Sequence, residues 1–198
     1  MTEANWFEAA SGPALEQGDV LLGCTVLRPI AAEGIDSAVS EESIEEGSSE
    51  LEYEASMTDI VILSQTCDLE NGKISEVLAA KVISYDALVR QERARNNDMI
   101  ASSEFRRLCA QGNMPGYALI RPHVTPLEIP WSLISFANLY LLPKVYLESH
   151  AEKQGLRLRL KAPYREHVAQ SFARYFMRVA LPVTANDFSG YKPQAQGA

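Results

Sequence analysis

The sequence predicts a single domain of the α+β class, mostly β, from three observations. A chain of 198 residues with 46% apolar content is long enough to bury one substantial core. Several short apolar segments are bounded by Gly, Pro, Asn or Asp, which is typical of strands joined by turns. Residues 163–182 place their apolar side chains at helical spacing, so we expect one amphipathic C-terminal helix.

Four strands are predicted in the first two thirds of the chain. Residues 18–28 are rich in Val, Leu and Thr after a Gly-Asp turn, and Pro29 ends that strand. Residues 59–65 begin with a short apolar run, which is expected of a central strand covered on both faces. Residues 76–85 and 117–123 are two further apolar strand candidates.

Two segments are predicted to be insertions between strands. Residues 32–58 combine Ser, Gly and Glu with few large apolar groups, so we expect an acidic, flexible loop. Residues 85–112 carry two helical patterns that would form an insertion or lid. The second of these helices has Ser102 or Ser103 as its N-cap and Gly112 as its terminator.

Two more strands are predicted before the C-terminal helix. Residues 131–143 predict a short strand or turn, and residues 144–148 predict a further strand. Residues 156–161 alternate strictly, as in a strand with one buried face. The leucines are expected to face inward and the cations outward: Leu156, Leu158 and Leu160 against Arg157, Arg159 and Lys161.

The charge of the chain is unevenly distributed. The formal net charge is −8, yet residues 32–59 hold ten Asp or Glu and no Lys or Arg. Residues 157–178 carry six basic side chains and one acidic, so we expect a basic face there that can hold phosphates. The alternative is a solvated face with ion pairs. The basic residues are Arg157, Arg159, Lys161, Arg165, Arg174 and Arg178.

Targeting and cysteine patterns indicate a cytoplasmic protein. No apolar stretch approaches the roughly 18 residues that span a bilayer, and the opening residues lack the regions of a signal peptide. Three cysteines without short paired spacing indicate neither a disulfide framework nor a CxxC zinc site. We expect no membrane association, no cofactor, a protein or nucleic-acid partner, and a possible homo-oligomer.

The segment SQTCDL carries the candidate catalytic residues. A thiol at a strand-to-loop junction can act as a nucleophile when a base activates it, so Cys67 is paired in this hypothesis with His123 or His167. Asp68 would orient the histidine, and Gln65 would donate an amide to a developing oxyanion. The favoured alternative is that Cys67 packs as a small hydrophobe at the strand end.

The same corner is also chemically suited to a metal ion. Thiolate and imidazole are zinc ligands, so Cys67 and Asp68 could join His123, His150 or His167. No two of these histidines lie three or four residues apart, so the spacing gives the site no support. The sequence therefore predicts no metal site.

Three stretches resemble the MazF/PemK toxins. QGDVLLG resembles the opening strand of that family, DIVILSQ its central strand, and SLISFANLYLLPKVYL its late segment before the last helix. The resemblance implies an SH3-like β-barrel core, similar in fold to inhibitors of DNA gyrase, with residues 32–58 and 85–112 inserted. SQTCDL also resembles a segment of uncharacterised prokaryotic proteins, which implies no activity.

The family's ribonuclease residues are not all matched. Those toxins cut RNA with an Arg that opens the central strand and a Thr or Ser on the next strand, whereas Met57, Thr58 and Asp59 stand here without an Arg. Ser84 lies roughly where the hydroxyl is expected, and an active ribonuclease would need Arg121 or Arg28 beside it. The resemblance therefore implies a non-catalytic binding or accessory module of a prokaryotic toxin–antitoxin or antiviral defence system.

Overall fold

The computed structural model describes residues 5–29 and 53–177, which contain seven strands, five α-helices and a short 3₁₀ turn at Met99–Ala101. The strands are β1 (Phe7–Ala10), β2 (Asp19–Pro29), β3 (Tyr53–Ile62), β4 (Glu76–Ser84), β5 (Tyr117–Ile120), β6 (Ser132–Pro143) and β7 (Arg157–Leu160). The helices are α1 (Thr66–Glu70), α2 (Tyr85–Arg93), α3 (Ser103–Ala110), α4 (Lys144–Gln154) and α5 (Tyr164–Phe176).

The strands form one antiparallel sheet in the order β1-β7-β2-β3-β4-β6-β5. The register shifts between Leu21 and Cys24, where β2 carries an extra residue, and between Leu139 and Ser135, where β6 carries extra residues opposite β4, and such irregularities bend a sheet. Among the described strands, β1 and β5 are the edges and do not pair with each other. The α+β class is confirmed, but the closed barrel is wrong for these strands because the sheet stays open between its edges.

The open sheet nevertheless encloses one inner core. Every strand contributes a buried apolar side chain to it, and α5 contributes Val168. The rings of Phe7 in β1 and His123 beyond β5 lie 5.4 Å apart between centroids, so the two edges approach each other. One inner-core residue from each strand in chain order is Phe7, Val20, Val61, Ala80, Ile120, Ile134 and Leu158.

The outer face of the sheet is covered by helices in two places. Ile60 and Ile62 alternate with the inner-core residue Val61, and they pack with Leu69 of α1 and Leu147 of α4 in an outer cluster. Further along the sheet, α2 and α3 cover Leu133 of β6. The sheet therefore lies between its inner core and these two outer layers.

Gly18 sets the start of β2. Its φ is +88°, in the left-handed region that side chains other than Gly rarely adopt, and a Cβ there would lie 3.1 Å from the Leu160 Cβ. The Gly-Asp start of the predicted strand thus has a packing reason as well as a backbone one. The predicted strands at 18–28 and 76–85 are confirmed as β2 and β4.

Several predicted boundaries are wrong. Residues 53–58 of the predicted acidic loop belong to β3 and pair with β2, while residues 32–52 lie outside the described residues. Residues 144–148 start helix α4, because Leu147 and Ala151 pack on the outer face at helical spacing. The 131–143 segment is a strand of twelve residues, and β1 was not predicted.

The helical predictions at 85–112 and at the C-terminus match the structure where it describes them. Ser102 is the N-cap of α3, with its hydroxyl accepting the Phe105 N–H at 3.1 Å. Helix α5 ends at Phe176, and residues 178–182 of the predicted helix lie outside the described residues. None of the described helices has both the length and the apolar character needed to cross a membrane.

Candidate functional site

Cys67 lies exposed in the first turn of α1, two residues after the N-cap Gln65. Its Sγ is 3.6 Å from the Gln65 Oε1 and 3.8 Å from the Asp68 Oδ1, and Asp68 also pairs with Lys73 at 3.6 Å. The expectation that Cys67 packs as a small hydrophobe is therefore wrong. The structure does bring Gln65, Cys67 and Asp68 together.

The predicted base lies on the other side of the sheet. Leu69 of α1 packs in the outer cluster, whereas His123 contacts Phe7 of the inner core. Within the described residues, the hydrogen-bond partners of the Cys67 thiol are Gln65 and Asp68, so no imidazole activates it. The thiol, base and carboxylate of the enzyme hypothesis are not assembled.

The three histidines have separate environments. His123 forms a backbone bridge with Ile129, and its buried Nε2 has no hydrogen-bond partner among the described residues. The Nε2 of His150 lies 2.8 Å from the Leu22 carbonyl oxygen, and His167 lies exposed on α5. Residues 5–29 and 53–177 hold no group of three His, Cys, Asp or Glu placed to bind a metal ion.

Two of the predicted phosphate-binding arginines are committed to internal partners. Arg157 is fully buried, and its Nε donates to the Asp19 Oδ2 at 2.9 Å while its other nitrogens donate to the Gly12 and Ala14 carbonyls. Arg159 pairs with the same Asp19 and with Glu16. The outward orientation predicted for Arg157 is wrong, because a buried carboxylate compensates its charge.

The other predicted basic residues are distributed along and beyond α5. Lys161 is half-buried, and Arg165 pairs with Glu166 at 3.1 Å. Arg174 is exposed, and its Nε donates to the Gln170 carbonyl at 3.4 Å. Arg178 lies outside the described residues.

A groove of about 430 Å³ runs between α5, β5 and the C-terminal end of α3. We call it the α5 groove, and its main polar and aromatic residues are Trp6, Tyr164, His167, Gln170, Ser171 and Arg174. The rings of Trp6 and Tyr164 stack with centroids 4.3 Å apart and planes inclined by 12°. The described residues that line the groove include Arg174 and no carboxylate, although the chain carries a net charge of −8.

Trp6 is the groove residue that the sequence did not identify. It precedes β1, a four-residue strand too short to show a periodic pattern, and its partner Tyr164 is far away in the chain. In the sequence, Trp6 is seen only as a tryptophan next to Phe7. That pattern does not indicate which distant ring it stacks on. His167 and Arg174 were both identified from the sequence, as a candidate base and as one of the basic residues.

Two of the ribonuclease residues, Ser84 and Arg28, are also apart. The Ser84 hydroxyl accepts the Ala87 N–H at 3.2 Å and so caps helix α2. Arg28 donates to the Tyr140 hydroxyl at 3.1 Å, and Tyr140 pairs with Ala79, about 17 Å along β4 from Ser84 by strand rise. Arg121 lines a cavity beside β1, whereas Ser84 lines a different one.

No known protein-family model matches this chain, and no curated protein is detectably similar to it in sequence.

Proposed function

We propose that this chain is a non-catalytic binding module that engages single-stranded nucleic acid through the α5 groove. The observation that carries the proposal is the combination of a stacked Trp6–Tyr164 pair with Arg174 in a groove that has no carboxylate among its described lining residues. The aromatic rings match the base of a nucleotide. Arg174, which no described lining carboxylate neutralises, matches its phosphate.

The chemistry of the groove suits a single strand. Both rings are half-buried, and bases stack on such faces with little dependence on sequence, at about 1–3 kcal/mol per base. The guanidinium of Arg174 is exposed beside them and can hold phosphate oxygens in pairs. Gln170 and Ser171 add polar groups along the same wall.

The placement of the nucleophile candidates supports a non-catalytic role. Cys67 has no imidazole partner in the described residues, and Ser84 is engaged as a helix cap. We therefore expect expression of the chain in bacteria to leave growth unaffected. Growth arrest that is lost in the Ser84→Ala variant would instead favour the ribonuclease alternative.

An SH3-like relationship is part of the proposal. It is supported by the register shifts that bend β2 and β6, by the inner core shared by all seven described strands, and by the Phe7–His123 contact between the edges. The core is then an SH3-like barrel left open at one seam. The setting in a toxin–antitoxin or antiviral defence system and the possible homo-oligomer stay predictions.

The test uses Trp6 as a reporter at the groove. The chain has two tryptophans, so Trp131→Phe leaves Trp6 as the sole one. Titration with a mixed-sequence single-stranded RNA oligonucleotide is expected to quench Trp6 fluorescence, more weakly as salt rises. In the same background, Arg174→Gln should weaken binding about three- to tenfold, because it removes one partly screened phosphate contact.

The matched control is Arg107→Gln, which removes another exposed guanidinium, one that pairs with Glu104 and does not line the groove. Its affinity for the oligonucleotide should equal that of the parent. An unchanged Trp6 signal, or equal affinity of the Arg174→Gln variant, contradicts the proposal. Quenching by an acidic peptide but not by the oligonucleotide would replace the nucleic acid with a protein partner.

A further inference from the structure

A second cavity, of about 390 Å³, lies where helices α2 and α3 cover the end of the sheet. We call it the lid cavity, and its defining residues are Tyr85, Phe105, Arg106, Leu119, Trp131 and Leu133. Its volume falls within the range of about 300–1,000 Å³ that small-molecule sites occupy. Nothing in the proposed binding of nucleic acid uses this cavity.

The walls of the lid cavity are mainly apolar and include three aromatic rings. The rings of Tyr85 and Phe105 lie 6.4 Å apart between centroids with planes inclined by 15°, so they present nearly parallel faces. The Tyr85 hydroxyl donates to the Ile100 carbonyl at 2.8 Å, which fixes the start of α2 to the 3₁₀ turn before α3. Trp131 is 48% exposed, although it lines this cavity. Such walls favour a flat, apolar body over a branched or polar one.

One charge lines the cavity. The Arg106 Nη1 donates to the Ala101 carbonyl at 2.8 Å and lies 3.5 Å from the Tyr85 hydroxyl, and both acceptors are neutral. The neighbouring Arg107, by contrast, pairs with the Glu104 carboxylate at 2.6 Å. Among the described residues, therefore, the charge of Arg107 is matched by an anion and the charge of Arg106 is not.

We propose that the lid cavity binds a small planar apolar molecule that carries one carboxylate. Its ring lies against Tyr85, Phe105 and Trp131, where it is removed from water, and its carboxylate pairs with Arg106. The size of the cavity and its single unmatched guanidinium together determine this ligand class. The lid cavity shares the lining residues Cys109, Ala110 and Leu119 with the α5 groove, but none of the residues proposed to contact nucleic acid lines it.

The test measures binding of planar 4-chlorobenzoate and of uncharged 4-chlorobenzamide by calorimetry. We expect one benzoate per chain and about tenfold weaker binding of the amide, because the amide forms no charge-assisted bond to Arg106. In the Arg106→Gln variant, benzoate affinity should fall about tenfold while amide affinity stays the same. Arg107→Gln, the exposed neighbour outside the cavity, should bind both ligands as the parent does.

The place of binding is read from the two tryptophans. Trp6→Phe leaves Trp131 as the sole tryptophan, and its fluorescence should change in proportion to the calorimetric occupancy. Trp131→Phe leaves Trp6, which should not respond. Absence of saturable benzoate binding, full benzoate affinity in the Arg106→Gln variant, or a response of Trp6 instead of Trp131 would each overturn the proposal. None of these outcomes depends on whether the α5 groove binds RNA.

Discussion

Asp19 holds two arginines at the junction of β2 and β7. Both Asp19 and Arg157 are fully buried, and Arg157 also donates to carbonyls in the segment that precedes β2. Arg159 donates to both oxygens of the same carboxylate. Asp19 therefore compensates the buried charge of Arg157. Arg157 in turn holds the segment before β2 through its hydrogen bonds to the Gly12 and Ala14 carbonyls.

Replacing Asp19 with Asn is expected to lower the free energy of unfolding by about 3–5 kcal/mol, because Arg157 is then buried without a compensating charge. The change is measured by urea denaturation. Glu104→Gln is the matched control, since its ion pair with Arg107 is exposed and should leave the denaturation midpoint unchanged. A similar loss in both variants would show that the buried pair has no special weight.

The buried thiols make stability depend on alkaline pH. Burial raises the pKa of Cys109 from 9.0 to about 11, and burial followed by the Asp59 charge raises that of Cys24 to about 12. Between about pH 9 and 11 the unfolded chain loses thiol protons that the folded chain keeps. The free energy of unfolding therefore falls as pH rises through this interval.

We expect this fall to be shallower in a Cys109→Ala variant, because one of the two buried thiols no longer contributes. Urea denaturation at about pH 8 and about pH 10 gives the slope for parent and variant. The difference between the two slopes reports the Cys109 thiol together with its contribution to the raised pKa of Tyr117. Equal slopes would mean that the folded Cys109 thiol loses its proton as readily as the unfolded one.

At the level of elements, helices α2 and α3 each depend on a serine at the N-cap. Ser84 ends β4 and caps α2, and Ser102 caps α3 in the same way. Each hydroxyl accepts an N–H that has no partner within the first turn of its helix. These caps hold the helices that form one wall of the lid cavity.

Substituting Ser84 with Ala should lower the free energy of unfolding by about 1 kcal/mol, and Ser84→Thr should retain most of it, because Thr still supplies a capping oxygen. Thermal and urea denaturation provide the measurement. A loss of stability in the Thr variant equal to that in the Ala variant would contradict the capping role.

For the whole molecule, the seam between the sheet edges is closed by side chains. Phe7 belongs to the inner core and is 2% exposed, and its ring contacts His123 beyond β5. No ladder of backbone hydrogen bonds joins β1 to β5 in the described part of the chain. Packing at Phe7 is therefore what brings the edge strand β1 close to the other edge strand, β5.

Phe7→Ala is expected to cost about 3–5 kcal/mol of unfolding free energy, since it leaves a cavity where the two edges meet. Hydrogen exchange should speed up in β1 and in the segment after β5 before it does so in β3. The control is Phe176→Ala, because Phe176 is 52% exposed at the end of α5. A control as damaging as Phe7→Ala would contradict the role of the seam.

The sequence alone determined the features that depend on local pattern. Composition and alternation predicted the α+β class and the strands β2 and β4, and helical spacing predicted α5. Capping chemistry predicted that α3 starts at Ser102 or Ser103, and Ser102 is the N-cap. The sequence also identified two members of the α5 groove, His167 as a candidate base and Arg174 as one of the clustered basic residues.

The tertiary structure alone decided which of these residues meet. Arg157 alternates with leucines as an outward residue would, yet it is buried because its partner Asp19 lies 138 positions away. Residues 144–148 suit a strand locally, and packing of Leu147 on the outer face makes them helical. Periodicity reports which face of a single element is buried, whereas ion pairs, ring stacking and grooves join elements that are far apart in the chain. Only the folded structure therefore places Trp6 on Tyr164 and separates His123 from Cys67.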